Sequence, residues 1–491
     1  MKARTRVAPS PTGDPHVATA YAALVNLCVA RGASGAFVLR IEDTDRTRSE
    51  APFEAAIFES LRWLHLEWDE GPDVGGPHAP YRQSERSAIY AEHAERLLAG
   101  GHAFRCYCSP QRLEEMRVAQ RAAHEPPHYD GSCLRLSEAD VAAHERAGDP
   151  SVVRLRVPDE GSCVFEDVLR GRIEVEWKSV DMQVLVKSDG FPTYHLANVV
   201  DDHLMEITDV VRGEEWISST PKHVLLYRAF GWERTMPRFC HLPLLRNPDK
   251  SKLSKRRNPT SILHYRARGI LPEALLHFLA SLVDARNDEA LLTCTSCDEM
   301  IARMVGNFDL GAIALGGPVF DLEKLLWLNG QHLRRHTVAQ FVEILDGWGY
   351  TWPETIPPQH RERIAQLAMS RIGALDEFAG LVAFFAHRPD VSKADLELPK
   401  QPAAVSKEAL ERALAELPVI DAWHAARIGE TLKKAVADAW PSGSVRFRDV
   451  VRAYYVAVTG SPTSIPLFDA MELLGKNESL KRLEIAVERL H

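Results

Sequence analysis

The stretch "SPTGDPHVATAY", residues 10–21, decides how the fold is read. The residues before it, "RTRVAPS" (4–10), read as a short strand that stops at Pro9. Pro11, Gly13 and Pro15 then stiffen a loop that delivers one imidazole, His16. Beyond it, "VATAYAALVNLCVARG" (17–32) carries Ala20, Leu24, Leu27 and Cys28 at helical spacing. Arg31 falls in the last turn of that helix and Gly32 at its C-cap. "GAFVLRIED" (35–43) is an apolar run bounded by glycine and acids, which suits a buried strand. Strand, helix and strand within about 40 residues make a βαβ unit and predict a parallel sheet. The loop after its first strand opens a helix, where the positive dipole end and unpaired N–H groups make a natural phosphate site. His16 and Thr19 are placed to donate to phosphate oxygens there; taken alone, the stretch reads as well as a Pro-rich turn capped by a histidine.

Working outward, residues 53–70 and 84–101 read as helices. Residues 106–185 are less regular, with β-like runs "SVVRLRVP", "RIEVEWKSV" and "MQVLVKSDG", and read as an insertion. "DVVRG" and "RFCHLPLLR" flank a helix at about 217–230 and resume the α/β pattern. Helical periodicity dominates from about 260, and residues 331–491 read as almost wholly helical. The chain has 491 residues, enough for about three or four domains, with 45% hydrophobic and 26% charged residues. It lacks the ~18-residue apolar run of a membrane span and an apolar N-terminal leader, so a cytoplasmic protein is expected. Its net charge of −9 argues against a nonspecific nucleic-acid coat, and local basic patches decide phosphate contact. One such patch is "RNPDKSKLSKRR" (246–257), with six Lys/Arg against one Asp. Within it Lys252 and Lys255 bracket Leu253 and Ser254; the loop reads either as a cationic lid over a polyphosphate or as a solvated basic turn. No P-loop of the form G-x-x-x-x-G-K-[ST] competes for a nucleotide.

Eight cysteines in so long a chain do not make a disulfide framework. Two close pairs, Cys106/Cys108 and Cys294/Cys297, raise metal binding. The second lacks a partner pair nearby and reads as ordinary packing.

An early histidine motif opening the first helix and a distant K-[LM]-S-K loop together resemble the class I aminoacyl-tRNA synthetases. Longer strings narrow the resemblance. "RVAPSPTGDPHVATAY" (6–21), "RIEDTDR" (40–46), "APYRQSER" (79–86), "GFPTYHLANVVDDHLM" (190–205), "VVRGEEW" (210–216) and "LLRNPDKSKLSKR" (244–256) are similar to the bacterial glutamyl-tRNA synthetases. So are "LGGPVFDLEKLLWLNG" (315–330) and "TGSPTSIPLFDAMELLGKNESLKRLE" (459–484), so the likeness covers nearly the whole chain. It implies a Rossmann-type α/β catalytic domain with a parallel sheet, in halves at 1–105 and 188–245. Between them it implies an inserted α+β acceptor-stem-binding domain at 106–187. All-α parts follow: a stem-contact domain with the KMSKS-like loop at 246–330 and an anticodon-binding domain at 331–491.

The implied reaction is ATP-dependent activation of glutamate to glutamyl-adenylate, with Mg2+ accompanying ATP, then transfer to the 3′ end of glutamate tRNA. Neither step needs a protein nucleophile, and the sequence has no G-x-S-x-G elbow. By resemblance Arg6, Ala8, Ser10, Glu42, Tyr194, Asn198 and Arg212 contact glutamate, the arginines taking its carboxylates and Glu42 its ammonium. His16, Ala18, Thr19, Glu214, Trp216, Lys252, Leu253, Ser254 and Lys255 form the ATP set, with His16, Thr19, Lys252 and Lys255 catalytic. Asp201, Asp202 and His203 match as well and are open between site and scaffold. Family members bind a structural zinc in the insertion, which would engage Cys106, Cys108, Cys133 and Tyr129 here; a decayed site of reduced thiols is the alternative. Arg135 stands where some members carry the fourth ligand. Ala18 replaces the family's usual glycine. The helical C-terminal half speaks against a glutamine-specific ligase, whose anticodon domains are β-barrels, and leaves a tRNA-free nucleotidylyltransferase without use for it. Intact His16, Lys252 and Lys255 speak against an inactive tRNA-binding scaffold. Arg361, Arg363, Arg371 and Arg446 are available to meet RNA bases, and a monomer is expected.

Overall fold

The computed structural model describes residues 2–125, 128–253, 259–398 and 401–491. Strands β1 (Arg4–Val7) and β2 (Ala36–Leu39) lie parallel in the register Arg4 opposite Ala36 to Val7 opposite Leu39. Helix α1 (Val17–Gly32) crosses between them, as the opening stretch requires. Its cap differs by one residue from the expectation: Gly32 is still helical and Ala33 closes the helix, donating its N–H to Ala30. The remaining helices of this part are α2 (Ala51–Trp63) and α3 (Ser87–Ala99).

A second parallel pair, β8 (Asp209–Gly213) and β9 (Arg238–Leu242), belongs to a separate sheet whose β8 runs beside β1. The N–H of Thr208 donates to Arg4 O (2.9 Å) and that of Arg4 to Thr208 Oγ1 (2.8 Å), tying the entries of β1 and β8 together. Past these bonds the strands diverge, and α1 fills the gap with a buried amide. Asn26 Nδ2 donates to Val211 O on β8 (3.1 Å), while Asn26 O accepts from Thr5 Oγ1 on β1 (2.8 Å). An asparagine inside an apolar helix face is thus explained by two strands whose backbones no longer pair.

The region expected as an insertion divides between two sheets. β3 (Ala103–Cys106), β4 (Val152–Leu155) and β7 (Val184–Val186) form an antiparallel sheet flanked by α4 (Pro110–Ala122) and α5 (Glu138–Ala147). The hairpin of β5 (Ser162–Asp167) and β6 (Gly171–Glu176) instead joins β9 in parallel, Asp167 opposite Phe239. One buried cluster explains the split: Val153, Leu155 and Leu185 pack in the same core as Phe165, Val210 and Phe239. Helices α6 (Tyr194–Leu204) and α7 (Thr220–Ala229) cover it.

The chain forms two compact units, residues 1–265 with 275–322, and residues 266–274 with 323–491. The second is helical. One core of it gathers Leu410, Leu432, Val450, Tyr454 and Leu483 from the helices Ala403–Glu416, Ala425–Ala439, Phe447–Thr459 and Lys476–Arg489. No helix of the described residues is long and apolar enough to cross a membrane.

Candidate active site

A cavity of about 480 Å³ opens at the carboxyl ends of the parallel strands, beside the gap between β1 and β8. Ligands of open α/β sheets bind there because the strands end and the chain reverses. Arg6, Ala8 and Ser10 reach it from the exit of β1, Glu42 from beyond β2, Ala18 and Thr19 from α1, Tyr194 and Asn198 from α6, and Arg212 and Trp216 from β8 onward. Ten expected residues therefore share one cavity although they span more than 200 positions of sequence.

Arg212 lies at its back, 6% exposed. Its Nε donates to His241 Nε2 (3.1 Å), Nη1 to Tyr194 Oη (3.0 Å) and His223 Nδ1 (3.2 Å), and Nη2 to Thr220 Oγ1 (2.9 Å). Every acceptor is uncharged. Burial, with the guanidinium beside it, pushes His223 well below its ordinary range. Burial likewise holds His195, which meets His223 at 3.2 Å, down to about 3. Both imidazoles are thereby held neutral and add no positive charge of their own beside Arg212.

Arg6 differs. Its Nε and Nη2 grip Asp202 at 3.0 and 3.2 Å, and Asp202 also accepts from Arg40 Nη1 at 2.7 Å. Arg40 Nη2 reaches Glu42 at 3.0 Å, and Asn198 Nδ2 lies 3.4 Å from the same carboxylate oxygen. Burial raises Glu42 above its ordinary value while Arg40 opposes. Asp201 accepts from Arg86 Nε (2.7 Å), Gln83 Nε2 (3.0 Å) and Tyr90 Oη (2.8 Å). Asp201 and Asp202 are thus buried anchors of the arginines, and His203 stacks on Trp232 at 3.7 Å.

The start of α1 departs from the expectation of open N–H groups. Val17 N donates to Thr260 O (2.8 Å), Ala18 N to His16 Nδ1 (2.9 Å) and Thr19 N to His16 O (2.8 Å). The cap consumes these donors, so a phosphate there meets side chains and the helix dipole. With Nδ1 accepting, His16 carries its proton on Nε2. Glu214 turns from the cavity to Leu244 N (3.1 Å) and Arg170 Nη2 (2.6 Å), and it is Glu215 that lines the cavity. A Cβ on Gly213 would sit 2.1 Å from Glu215 Oε2, so a larger residue there would displace that carboxylate. Residues 246–253 form a hydrogen-bonded turn in which Asn247 N donates to Ser251 O (2.8 Å), leaving Lys252 exposed and Leu253 buried. Ser254 and Lys255 lie outside the described residues.

Of the described residues able to hold a metal, Cys106, Cys108 and Cys133 gather with their sulfurs within 4.8 Å of one another. Tyr129 Oη lies 3.4 Å from both Cys106 and Cys108 Sγ, and Cys108 and Cys133 Sγ are 3.5 Å apart. A tetrahedral zinc with S and O ligands needs S–S edges of about 3.8 Å and S–O edges of about 3.5 Å, so the four donors fit it. Arg135 instead donates to Asp130 O (3.2 Å). Cys294 and Cys297 are buried in packing. Among the expected RNA-facing arginines, Arg363 and Arg446 pair with Asp469 and Asp449, while Arg371 is exposed.

Sequence reading did not reach Arg40, Asp167, His223 and His241. A signal existed: Arg40 interrupts the run "FVLRI" and His241 the run "FCHLPLL", polar groups where a buried strand calls for apolar ones.

Residues 2–325 match the family described as class I tRNA synthetases (E and Q), catalytic domain, and residues 337–487 the anticodon binding domain. With that catalytic domain and a parallel sheet opening on a charged cavity, the chain is a class I aminoacyl-tRNA synthetase. Glutamate–tRNA ligases of Acinetobacter baumannii (strain SDF) and Cellvibrio japonicus are each 48% identical, over 99% of this chain and 94% of theirs. The glutamate–tRNA ligase structure from Elizabethkingia meningosepticum, in complex with its amino acid, aligns over 100% of both chains at 31% identity and TM-score 0.78. The glutamate–tRNA synthetase structure from Elizabethkingia anophelis aligns over 99% of this chain and 100% of its own, at 32% identity and TM-score 0.80. The chain belongs to the glutamate–tRNA ligase family.

Proposed function

We propose that this chain activates glutamate with ATP and Mg2+ and transfers it to the 3′ end of glutamate tRNA, releasing AMP and pyrophosphate. The observation that carries the reading is Arg212, a buried guanidinium lining the cavity with only uncharged acceptors around it. A substrate carboxylate supplies the missing counter-charge, and a glutamine amide does not. Arg6, held by Asp202, adds a second cation, and Glu42 with Asn198 offers the anion for the ammonium. Tyr194, Ser10 and Ala8 complete the glutamate pocket. His16, Thr19, Ala18, Trp216, Lys252 and Leu253 serve ATP, with Glu214, Ser254 and Lys255 included on the strength of the family motif. Positioning and charge stabilisation carry both steps.

Cys106, Cys108, Cys133 and Tyr129 would hold one zinc, which cross-links the β3 loop to the 132–135 turn. Elemental analysis of purified protein is expected to find one zinc per chain, lost in a Cys108→Ser variant. The enzyme is proposed to act as a monomer in the cytoplasm, and sedimentation of the purified chain tests the first point.

The decisive assay offers glutamate and glutamine, ATP, Mg2+ and fractionated tRNA. Glutamate charging of glutamate tRNA is expected, and its absence would sink the reading. Arg212→Ala is expected to raise the glutamate KM about a hundredfold, about 2.7 kcal/mol, with the ATP KM within threefold.

A further inference from the structure

All five N–H groups of Arg212 have an acceptor, and the partners sort by side. Tyr194 and Trp216 O line the cavity; His241, His223 and Thr220 stand behind the guanidinium. Arginine keeps its protons, so each imidazole nitrogen facing it is an acceptor. His241 therefore carries its proton on Nδ1, which lies 2.6 Å from Asp167 Oδ2. Asp167 is saturated from its other sides by His241 N (3.0 Å), Leu169 N (3.0 Å) and Arg170 N (3.1 Å). It sits on β5, His241 on β9 and Arg212 on β8, three neighbouring strands.

We propose that Asp167 and His241 are positioning residues for amino-acid selection: Asp167 locks the His241 tautomer that aims Arg212 into the cavity without neutralising it. A carboxylate in direct contact with Arg212 would supply the counter-charge that the substrate has to bring. One imidazole in between keeps the acid close enough to fix geometry and too far to take the ion pair. His223 works alike on the other arm: its Nδ1 accepts from Arg212, so its Nε2–H donates to His195.

The inference rests on Arg212 taking a glutamate carboxylate. In Asp167→Asn, an amide oxygen toward His241 sets the NH2 against the N–H groups of Leu169 and Arg170. With the NH2 toward His241 instead, the imidazole proton moves to Nε2, against Arg212 Nε–H. Asp167→Asn and His241→Leu are each expected to raise the glutamate KM at least tenfold, with the ATP KM within threefold and glutamate-over-glutamine selection reduced. His241→Gln, whose amide oxygen can accept from Arg212, is expected to recover most of the loss seen in His241→Leu. A glutamate KM unchanged within twofold in both variants, or equal rises in both KM values, would overturn the proposal. If Asp167→Asn does not fold, the His241→Leu and His241→Gln pair decides alone. Arg212→Ala separates the two ideas: an unchanged glutamate KM there refutes the role of Arg212 itself, while a raised one with Asp167→Asn and His241→Leu both normal refutes only the positioning pair.

Discussion

Ala18 lines the cavity, and its N–H is held by the His16 ring. One methyl therefore stands where the backbone could approach a ligand. Ala18→Gly is expected to lower the ATP KM two- to fivefold, while costing the first turn of α1 about 0.5–1 kcal/mol. An unchanged ATP KM with the thermal midpoint lowered would show the methyl to be structural only. His16→Ala removes a cap worth about 1 kcal/mol and a donor at the helix start. Adenylate formation is expected to fall much further than that loss of stability explains. At this level the sequence was informative where a residue acts by its own chemistry. Arg6, Ser10, Glu42, Tyr194 and Arg212 all reach the cavity. It was silent where a role needs a distant partner: Asp202 meets Arg6 across 196 positions, and Asp167 meets His241 across 74. No local pattern records such pairings.

Elements were legible in proportion to their periodicity. The C-terminal helices follow from spacing, because each buries a face at a period of 3.6 residues, whereas α1 is buried on nearly every side, from Ala23 to Cys28 without a break. β5 and β6 fall within the stretch read as an insertion because residues 106–185 are less regular, with turn residues between short β-like runs. Only the register of Asp167 with Phe239 joins their hairpin to the parallel strands, and that is tertiary information. In the helical unit, Lys476–Arg489 is fastened by charge as well as by its apolar face. Arg388 bonds both carboxylate oxygens of Glu478 at 2.7 and 3.0 Å, and Arg482, 4% exposed, bonds one at 2.7 Å. The Arg388 hydrogen bonds, with those of Arg482, bring Glu478 down to about 2 against burial. A carboxyl depressed on folding adds stability above its unfolded value of about 4.3 and loses it as pH falls through its folded value. Protection of this helix from hydrogen exchange is thus expected to hold at pH 5 and to weaken between about pH 4.3 and 2. Glu478→Gln should remove that pH dependence. It should cost about 1–2 kcal/mol at pH 7, less than a fully buried pair because the carboxylate is partly solvated.

Across the whole chain, buried charge is concentrated in the first unit. Arg6, Arg40, Arg86, Asp201, Asp202 and Glu42 are all under 9% exposed, three cations against three anions. They join β1, the residues just past β2, the entry to α3, and α6. Replacing such a network with apolar groups can be neutral, but removing one member leaves its partners charged and unpaired. Asp202 is the member with most to lose: burial opposes its charge, and Arg6 and Arg40 nevertheless hold it below the ordinary carboxylate range. Asp202→Asn removes the charge shared by Arg6 and Arg40 and, with its amide oxygen kept between them, sets the NH2 against Arg6 Nη2. The expected cost is about 3–5 kcal/mol. Because Arg6 loses the grip that fixes it at the cavity, the glutamate KM should rise with it. The two compact units give the test its contrast. Hydrogen exchange should quicken through residues 1–265 and 275–322, while the helices between 403 and 489 keep their protection, since their core contains none of these charges. Uniform loss across both units would mean that the network supports the entire chain. Loss confined to the first, together with a raised glutamate KM, would identify it as the frame that converts a parallel sheet into an amino-acid site.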